Sequence, residues 1–223
     1  MLIKVCGITN LEQLYQLEEI NVSYAGFIFY PPSPRDVIKK GLHAADVKKT
    51  KIKIYKVGVF VDASYDEIMR QIQAYGLDMV QLHGHETPYF CSRLSGYIEV
   101  IKAFRFAENE HVEWTIKDYY EDTDLFLFDT GVPLSKEESE GKHLYGGTGR
   151  KFNWNRLKGL NVRKPFMLSG GISPSDVELV RKFMQDPVAE DLLVVDLNSR
   201  FEFSPGIKNM QKIKEFAEAK QVV

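Results

Sequence analysis

The sequence contains little cysteine and no long apolar run. Cys6 and Cys91 are the only cysteines among its 223 residues. Two cysteines do not make the framework of a small disulfide-rich secreted domain, so we expect free thiols in a reducing compartment. No apolar run approaches the roughly 20 residues of a membrane span, and the first apolar residues lead almost at once into a polar segment, unlike a signal peptide. These absences predict a soluble, cytoplasmic protein.

An excess of charge of one sign is also missing. The formal net charge is -2, with both signs interspersed along the chain. The sequence therefore offers no basic stripe for nucleic acid and no polybasic segment for a membrane surface. Any anionic ligand has to be held by local features of the fold.

Linkers and low-complexity tracts are absent, and 44% of the residues are hydrophobic, which is ample for a packed core. We expect one domain over residues 1–223. The one long irregular stretch, residues 130–149, is rich in Ser, Glu, Gly and Lys. Irregular segments of that length usually carry function or are disordered.

Short apolar runs alternate with helical patterns along the whole chain. The runs are apolar on consecutive positions, which is typical of strands covered on both faces in a parallel sheet. Eight such units predict an α/β protein with a closed (β/α)8 barrel, and a doubly wound open sheet is the main alternative. The predicted strands are 2–5, 24–29, 54–61, 79–82, 97–102, 125–128, 165–168 and 192–197.

Several helices have recognisable start signals. Asn10 precedes a leucine-rich helical pattern, Ser64 is followed by Glu67 as in a capping box, and Ser173 precedes Pro174. These residue types at these spacings predict helix N-caps. Cys91 and Trp114 fall inside helical patterns, and we interpret both as packing residues.

Polar or glycine-rich residues follow every predicted strand. In parallel α/β proteins the chemistry lies beyond the carboxyl ends of the strands, so these residues predict a site assembled from the whole rim. In chain order they are Cys6-Gly7, Arg35, Asp62, His83-Gly84-His85-Glu86, Phe104-Arg105, Asp129-Thr130, Ser169-Gly170-Gly171, and Asp196 with Asn198-Ser199-Arg200.

Two glycine-rich turns are suited to phosphate. GGTG at 146–149 and SGGIS at 169–173 each precede a predicted helix. Backbone N–H groups and the helix dipole favour an anion there, and glycine allows close approach and positive φ. Either turn alone also fits an ordinary loop, but barrel phosphate sites often use the loops around strands seven and eight.

Cys6 and Asp129 form a candidate acid–base pair. A thiolate and a carboxylic acid on opposite sides of a bound substrate could move protons on it. This use requires a lowered thiol pKa for Cys6 and a partly apolar setting for Asp129. The residues alone leave two other interpretations open, a buried structural cysteine and a strand-end carboxylate bonded to loop N–H groups.

The run His83-Gly84-His85-Glu86 could also be interpreted as a metal cluster. The other histidines fall in helical or loop segments and not at strand ends. We therefore expect no metal at this position.

Eight segments taken in order resemble the phosphoribosylanthranilate isomerase family, (β/α)8 enzymes of tryptophan biosynthesis. The resemblance runs from residue 4 to residue 208, and the first and fourth segments together are quite specific. The segments are KVCGIT (4–9), GFIFYPPSPR (26–35), VGVFVD (57–62), VQLHG (80–84), LFDT (127–130), GGTGRKFNW (146–154), LSGGI (168–172) and VDLNSRFE with PGIK (195–208).

The resemblance implies an Amadori rearrangement. N-(5-phosphoribosyl)anthranilate becomes 1-(2-carboxyphenylamino)-1-deoxyribulose 5-phosphate without cofactor or metal. By motif, Cys6 would remove the proton from C2 of the sugar, and Asp129 would protonate the ring oxygen. Arg35 would hold the anthranilate carboxylate, which suits a guanidinium fork.

The remaining assignments also follow from the resemblance. His83 would line the pocket, Asp196 would lie near the sugar, and the phosphate would meet the loops at Gly147, Gly149, Gly170 and Gly171 and after strand eight, at Ser199 and Arg200. Arg200 stands where the family has glycine, so it could reach the phosphate or point to solvent. The expected partner is a small phosphorylated molecule, and the chain is expected to be a monomer or a homodimer.

Three other functions would require different residues. A thiol redox protein would need a resolving cysteine near Cys6, and Cys91 has no C-x-x-C spacing. A non-catalytic phosphate-binding barrel would not need Cys6 and Asp129 together. A different sugar-phosphate isomerase, or a barrel that accepts two substrates, would be expected to carry two carboxylates in place of the thiol and the acid.

Overall fold

A computed structural model of the chain describes residues 1–106, 111–130 and 153–219. Eight parallel strands close into a barrel in chain order, with the last strand paired to the first. This confirms the predicted (β/α)8 class and excludes the open sheet. The strands are β1 Leu2–Cys6, β2 Tyr24–Phe29, β3 Tyr55–Phe60, β4 Met79–Leu82, β5 Glu99–Phe106, β6 Leu125–Thr130, β7 Phe166–Leu168 and β8 Leu192–Leu197.

Helices surround the barrel, and all three predicted caps form. Asn10 accepts a hydrogen bond from Gln13 N, Ser64 accepts one from Glu67 N, and Ser173 caps a 3-10 turn that leads into the sixth helix. None of the helices in the described ranges has the length and apolar character needed to cross a membrane. The helices are α1 Leu11–Glu19, α2 Ala44–Lys49, α3 Tyr65–Tyr75, α4 Pro88–Ser95, α5 Val112–Ile116, α6 Val177–Phe183 and α7 Met210–Ala219.

The core has two layers, which explains the consecutive apolar positions of the strands. One set of side chains packs outward against the helices and forms the larger cluster. The alternate positions point inward and fill the barrel. The inner cluster consists of Tyr24, Val57, Met79, Ile101, Ala103, Leu125, Leu127, Met167 and Val194.

Cys91 and Trp114, both interpreted from the sequence as packing residues, differ in burial. Cys91 is fully buried on α4 in the outer core, as predicted, and burial raises its pKa to about 12. Trp114 is 71% exposed, so its interpretation as a packing residue is wrong. The short helix α5 turns Val112 and Ile116, four residues apart, towards the core, and this leaves Trp114 on the opposite face.

Three strands continue further than predicted. β1 reaches Cys6, β5 reaches Phe106 and β6 reaches Thr130, so Cys6, Arg105 and Asp129 lie within strands and not after them. Arg105 and Asp129 are directly opposite each other in the register between β5 and β6. The sheet, and not a loop, therefore sets the position of Asp129.

The chain after β8 forms a hairpin beside the barrel mouth. A 3-10 turn at Ser199–Phe201 leads into β9, Glu202–Ser204, which pairs with β10, Ile207–Lys208. The connection between β9 and β10 is bonded to the start of the chain, because the carbonyl of Gly206 accepts hydrogen bonds from Thr9 Oγ1 and Gln13 Nε2. This hairpin places two charged side chains, Glu202 and Lys208, close to the end of β1.

Candidate active site

Cys6 is the last residue of β1, at the mouth of the barrel, and it is 4% exposed. It pairs in register with Gly26 on β2, and a Cβ atom at Gly26 would lie 2.9 Å from Cys6 Sγ. Gly7, which follows, has φ +81 and lies against Arg35, whose Cδ would be 2.8 Å from an added Cβ. The two glycines leave the space that the thiol and the arginine occupy.

Charged groups surround the Cys6 thiol. Burial raises its pKa, while the cations Lys4, Lys208 and Arg35 act in the opposite direction. The net effect in this structure is a raised pKa, whereas proton abstraction requires a lowered one. The three cations are therefore the groups that favour the base role of Cys6.

A buried ion pair lies below the thiol, between β1 and β8. Lys4 Nζ donates a hydrogen bond to Asp196 Oδ2 at 2.9 Å, and the lysine side chain is fully buried. Burial would lower the pKa of Lys4, but Asp196 and Cys6 outweigh it and raise that pKa above its ordinary value. Asp196 Oδ1 is buried and has no hydrogen-bond partner among the described residues. An acceptor is therefore available at the position where the resemblance expects the sugar.

The candidate acid Asp129 is held by a histidine. His83 Nε2 lies 3.2 Å from Asp129 Oδ2, and His83 Nδ1 lies 2.8 Å from Gln81 Nε2. Because an amide nitrogen donates, Nδ1 is the acceptor and Nε2 carries the proton that is donated to Asp129. Burial lowers the pKa of His83, which agrees with a neutral ring. His83 thus lies at the site, where it orients the carboxylate.

Arg35 is anchored by a buried carboxylate, Glu202. Its Nε and Nη2 atoms donate to Glu202, with distances of 2.7 to 3.1 Å, and both side chains are buried. One edge of the guanidinium fork is therefore already occupied. Within the described residues Nη1 makes no hydrogen bond, so the Nη1–Nη2 edge remains for a ligand carboxylate.

Glu202 also binds Lys208, which completes a cluster. Lys208 Nζ donates to Glu202 Oε1 at 2.7 Å and to Asn198 Oδ1 at 3.0 Å. Although burial alone would raise it, the hydrogen bonds from Arg35 and Lys208 lower the pKa of Glu202. The carboxylate therefore remains ionised between two buried cations.

The structure describes part of the predicted phosphate site. Gly170 and Gly171 have φ values of 95 and 69, as expected for glycines in a tight turn, and Ser173 begins the following helical segment. Ser199 is half-buried on the 3-10 turn after β8, and Arg200 on the same turn is exposed. The predicted phosphate residues Gly147 and Gly149 lie outside the described residues.

The three side chains of the His83–Glu86 run pair with three different residues. His83 contacts Asp129, whereas His85 Nδ1 lies 3.1 Å from Asp62 Oδ2. Glu86 pairs with Lys102 at 2.8 Å and accepts hydrogen bonds from the backbone of Asp62 and Gly84. Over the described part of the chain, no group of three or more His, Cys, Asp or Glu residues could hold a metal ion.

Four residues of the site were not singled out from the sequence. They are Lys4, Gln81, Glu202 and Lys208. Lys4 had a usable signal, because it is a charge inside the apolar run of β1, two residues before Cys6 and hence on the same face of the strand. The others lie within the quoted segments but carry no local pattern that shows their partners.

Comparisons with known proteins agree with the geometry. A family model described as N-(5'phosphoribosyl)anthranilate (PRA) isomerase matches residues 3–219. The N-(5'-phosphoribosyl)anthranilate isomerase of Parabacteroides distasonis is 38% identical over 218 residues, which are 97% of this chain and 91% of that protein. The enzyme of the same name from Phocaeicola vulgatus is 35% identical, covering 97% of this chain and 96% of its own.

Solved structures show the same likeness. Phosphoribosyl anthranilate isomerase from Thermotoga maritima superposes with a TM-score of 0.80 at 30% identity, over the full length of both chains. A phosphoribosyl anthranilate isomerase in complex with reduced 1-(o-carboxyphenylamino)-1-deoxyribulose 5-phosphate gives a TM-score of 0.74 at 26% identity, again over both full chains.

Proposed function

The chain belongs to the N-(5'-phosphoribosyl)anthranilate isomerase family, and from this premise we propose that Cys6 and Asp129 are its catalytic base and acid. The family makes the protein an isomerase of tryptophan biosynthesis, in which an aldose-derived amine becomes a ketose. The assignment of the base to Cys6 and of the acid to Asp129 is the part that we propose.

The proton transfers balance as follows. Asp129 gives a proton to the ring oxygen of the furanose, the bond from that oxygen to C1 breaks, and the nitrogen lone pair forms an iminium at C1. The Cys6 thiolate takes the proton from C2, and the electrons of that C–H bond form the enolamine. A proton then leaves the C2 hydroxyl and another reaches C1, which gives the ketone and a C1 methylene. The product is an isomer of the substrate.

The observation that carries this proposal is the placement of the two groups. Cys6 and Asp129 lie at the same end of the barrel, each at or next to the end of a strand. Asp196 lies between their strands on β8 and is close enough to interact electrostatically with both. A substrate held over Asp196 would therefore have the thiol and the acid within its reach.

The two ends of the substrate are charged, which suggests how it is oriented. The ligand named for the related structure carries a carboxylate and a phosphate. We assign the carboxylate to the open edge of Arg35, and the phosphate to the turn at Gly170 and Gly171 together with Ser199. Gly147 and Gly149 complete this phosphate site in our proposal. Fixing both ends converts binding energy into orientation at C1 and C2.

The test is the isomerase assay on Cys6→Ser and Asp129→Asn. Consumption of the fluorescent substrate phosphoribosylanthranilate should fall about 100- to 10,000-fold in each variant, the usual contribution of a general base or acid. Cys91→Ser is the matched control, because it removes the other buried thiol, which lies on α4 in the outer core. Turnover near that of wild type in both site variants would contradict the assignment.

A further inference from the structure

We infer that Lys4 is a positioning residue for Cys6: its buried ammonium, fixed by Asp196, faces the Cys6 sulfur and stabilises negative charge on it. The inference rests on the proposed role of Cys6 and identifies the group that makes a thiolate available at that position.

The geometry of β1 brings the two side chains together. Lys4 and Cys6 are two residues apart on one strand, so both point towards the inside of the barrel. Lys4 is 0% exposed and cannot turn its charge towards water. The ammonium and the thiol are close enough to interact electrostatically. On the β2 side, Gly26 leaves the space that Sγ occupies.

Lys4 has more donors than acceptors around it. Within the described residues, Asp196 Oδ2 is the one oxygen acceptor of Lys4 Nζ, and the Cys6 side chain is its other hydrogen-bonding partner. An ammonium group has three N–H donors, and buried donors in native proteins are almost always satisfied. A thiolate accepts hydrogen bonds well, whereas a neutral thiol accepts them weakly. The spare protons of Lys4 therefore favour the deprotonated form of the sulfur that faces them.

Lys102 shows that spare donors are not a general property of buried lysines in this barrel. It is also almost fully buried and also pairs with a buried carboxylate, Glu86, at 2.8 Å. Its Nζ atom additionally donates to the carbonyl oxygens of Leu82 and Gly84, at 3.3 and 2.8 Å. Lys102 is thus fully satisfied, and Lys4 is not.

The charge balance around the thiol points in the same direction. Three cations and two carboxylates lie around it. Together with a neutral thiol these groups have a net charge of +1, and together with a thiolate they have a net charge of zero. Arg35 and Lys208 are already held by Glu202. The groups that face Cys6 are Lys4 on β1, Arg35 after β2, Asp196 on β8 and Lys208 on β10. Glu202 on β9 binds Arg35 and Lys208 from behind.

Titration of the Cys6 thiol in the ligand-free protein tests this inference. Thiolate absorbance near 240 nm is followed against pH, with Cys6→Ser protein as the blank. In Lys4→Met the midpoint should rise by about 1 to 3 pH units, the effect of removing an opposite charge a few ångströms away. Lys102→Met is the matched control, because it also removes a buried ammonium from a carboxylate but should leave the midpoint in place. An unchanged midpoint in Lys4→Met, or an equal rise in Lys102→Met, would overturn the inference.

Asp196→Asn provides the opposite perturbation and keeps the test decisive if Lys4→Met does not fold. The nearly isosteric amide removes the carboxylate that competes for the Lys4 ammonium. The thiol midpoint should then move to lower pH, and a midpoint that stays or rises contradicts the inference. Because Asp196 also repels a thiolate directly, the double variant Lys4→Met/Asp196→Asn isolates the effect of Lys4. Its midpoint should lie above that of Asp196→Asn alone, and equal midpoints in these two variants would overturn the inference.

Kinetics then separate this inference from the proposed function. The acidic limb of kcat/KM should move to higher pH in Lys4→Met by the same interval as the thiol midpoint, and Lys4→Arg should keep it near its wild-type position. If Cys6→Ser retains turnover while the Lys4→Met midpoint moves, the base assignment fails and the Lys4–Cys6 coupling stands. If Cys6→Ser is inactive and the midpoint does not move, the coupling fails and the base assignment stands.

Discussion

Replacing Glu202 with glutamine tests how the site holds two buried cations. The carboxylate accepts hydrogen bonds from Arg35 Nη2 and Lys208 Nζ, each at 2.7 Å, and its side chain is only 3% exposed. Breaking a buried ion pair by neutralising one partner costs about 3–5 kcal/mol, because the opposite charge stays buried without compensation. For a chain of this size, a loss of ~3 kcal/mol corresponds to a fall of roughly 6–12 °C in Tm.

The pH dependence of this loss has a definite sign. Burial alone would raise the pKa of Glu202, but the hydrogen bonds from Arg35 and Lys208 hold it below its ordinary value of 4.5. A carboxylate whose folded-state pKa is depressed contributes stability above its unfolded pKa, and the contribution is lost as pH falls through the folded pKa. The difference between wild type and Glu202→Gln in the free energy of unfolding should thus be constant near neutral pH and shrink well below pH 4.5.

Urea unfolding measured over a pH series checks both statements. Glu178→Gln is the control, because that side chain is 79% exposed and pairs with Arg181 three residues along α6. Exposed pairs contribute about 0–1 kcal/mol, so this variant should be close to wild type at every pH. Equal losses in the two variants at pH 7 would refute the reasoning, as would a Glu202→Gln loss that persists undiminished in acid.

Two further predictions concern the cysteines. Gly26→Ala should lower kcat and reduce the free energy of unfolding by about 1–3 kcal/mol through overpacking, because the new Cβ would lie 2.9 Å from Cys6 Sγ. Gly96→Ala is the control: its Cβ would meet nothing within 4 Å, so it should change neither kcat nor the unfolding midpoint. Since burial raises the pKa of Cys91 to about 12, folded Cys6→Ser protein should incorporate no iodoacetamide at pH 8, and mass spectrometry that finds labelled Cys91 would contradict this.

The barrel could be predicted because burial on both faces requires apolar residues at consecutive positions of each strand. The bounds of β2, β4 and β8 agree with their apolar runs to the residue. The rule fails where a strand enters the mouth, since inward positions there are not packed in the inner core. β1, β5 and β6 therefore extend beyond their predicted ends, and the extra residues include Cys6, Arg105 and Asp129.

The site could be predicted as a set of residues but not as a set of contacts. The roles expected for Cys6 and Asp129 follow from strand ends and motif, and these remain predictions. The partners of the charged groups depend on long-range closure of the chain. Lys4 and Asp196 are 192 residues apart, and Arg35 and Glu202 are 167 residues apart. No local periodicity reports which strands become neighbours when the barrel closes.

The hairpin after β8 connects the two proposed anchors of the substrate. Glu202 begins β9 three residues after Ser199, which we assign to the phosphate, and it clamps Arg35, which we assign to the carboxylate. Lys208 on β10 donates hydrogen bonds to both Glu202 and Asn198. One set of hydrogen bonds therefore connects the carboxylate that holds Arg35 with the turn that we assign to the phosphate. The spacing between the anchors is therefore set by the fold before any ligand binds. A preorganised spacing of this kind lets the two charged ends of the substrate fix the position of C1 and C2 between the thiol and the acid.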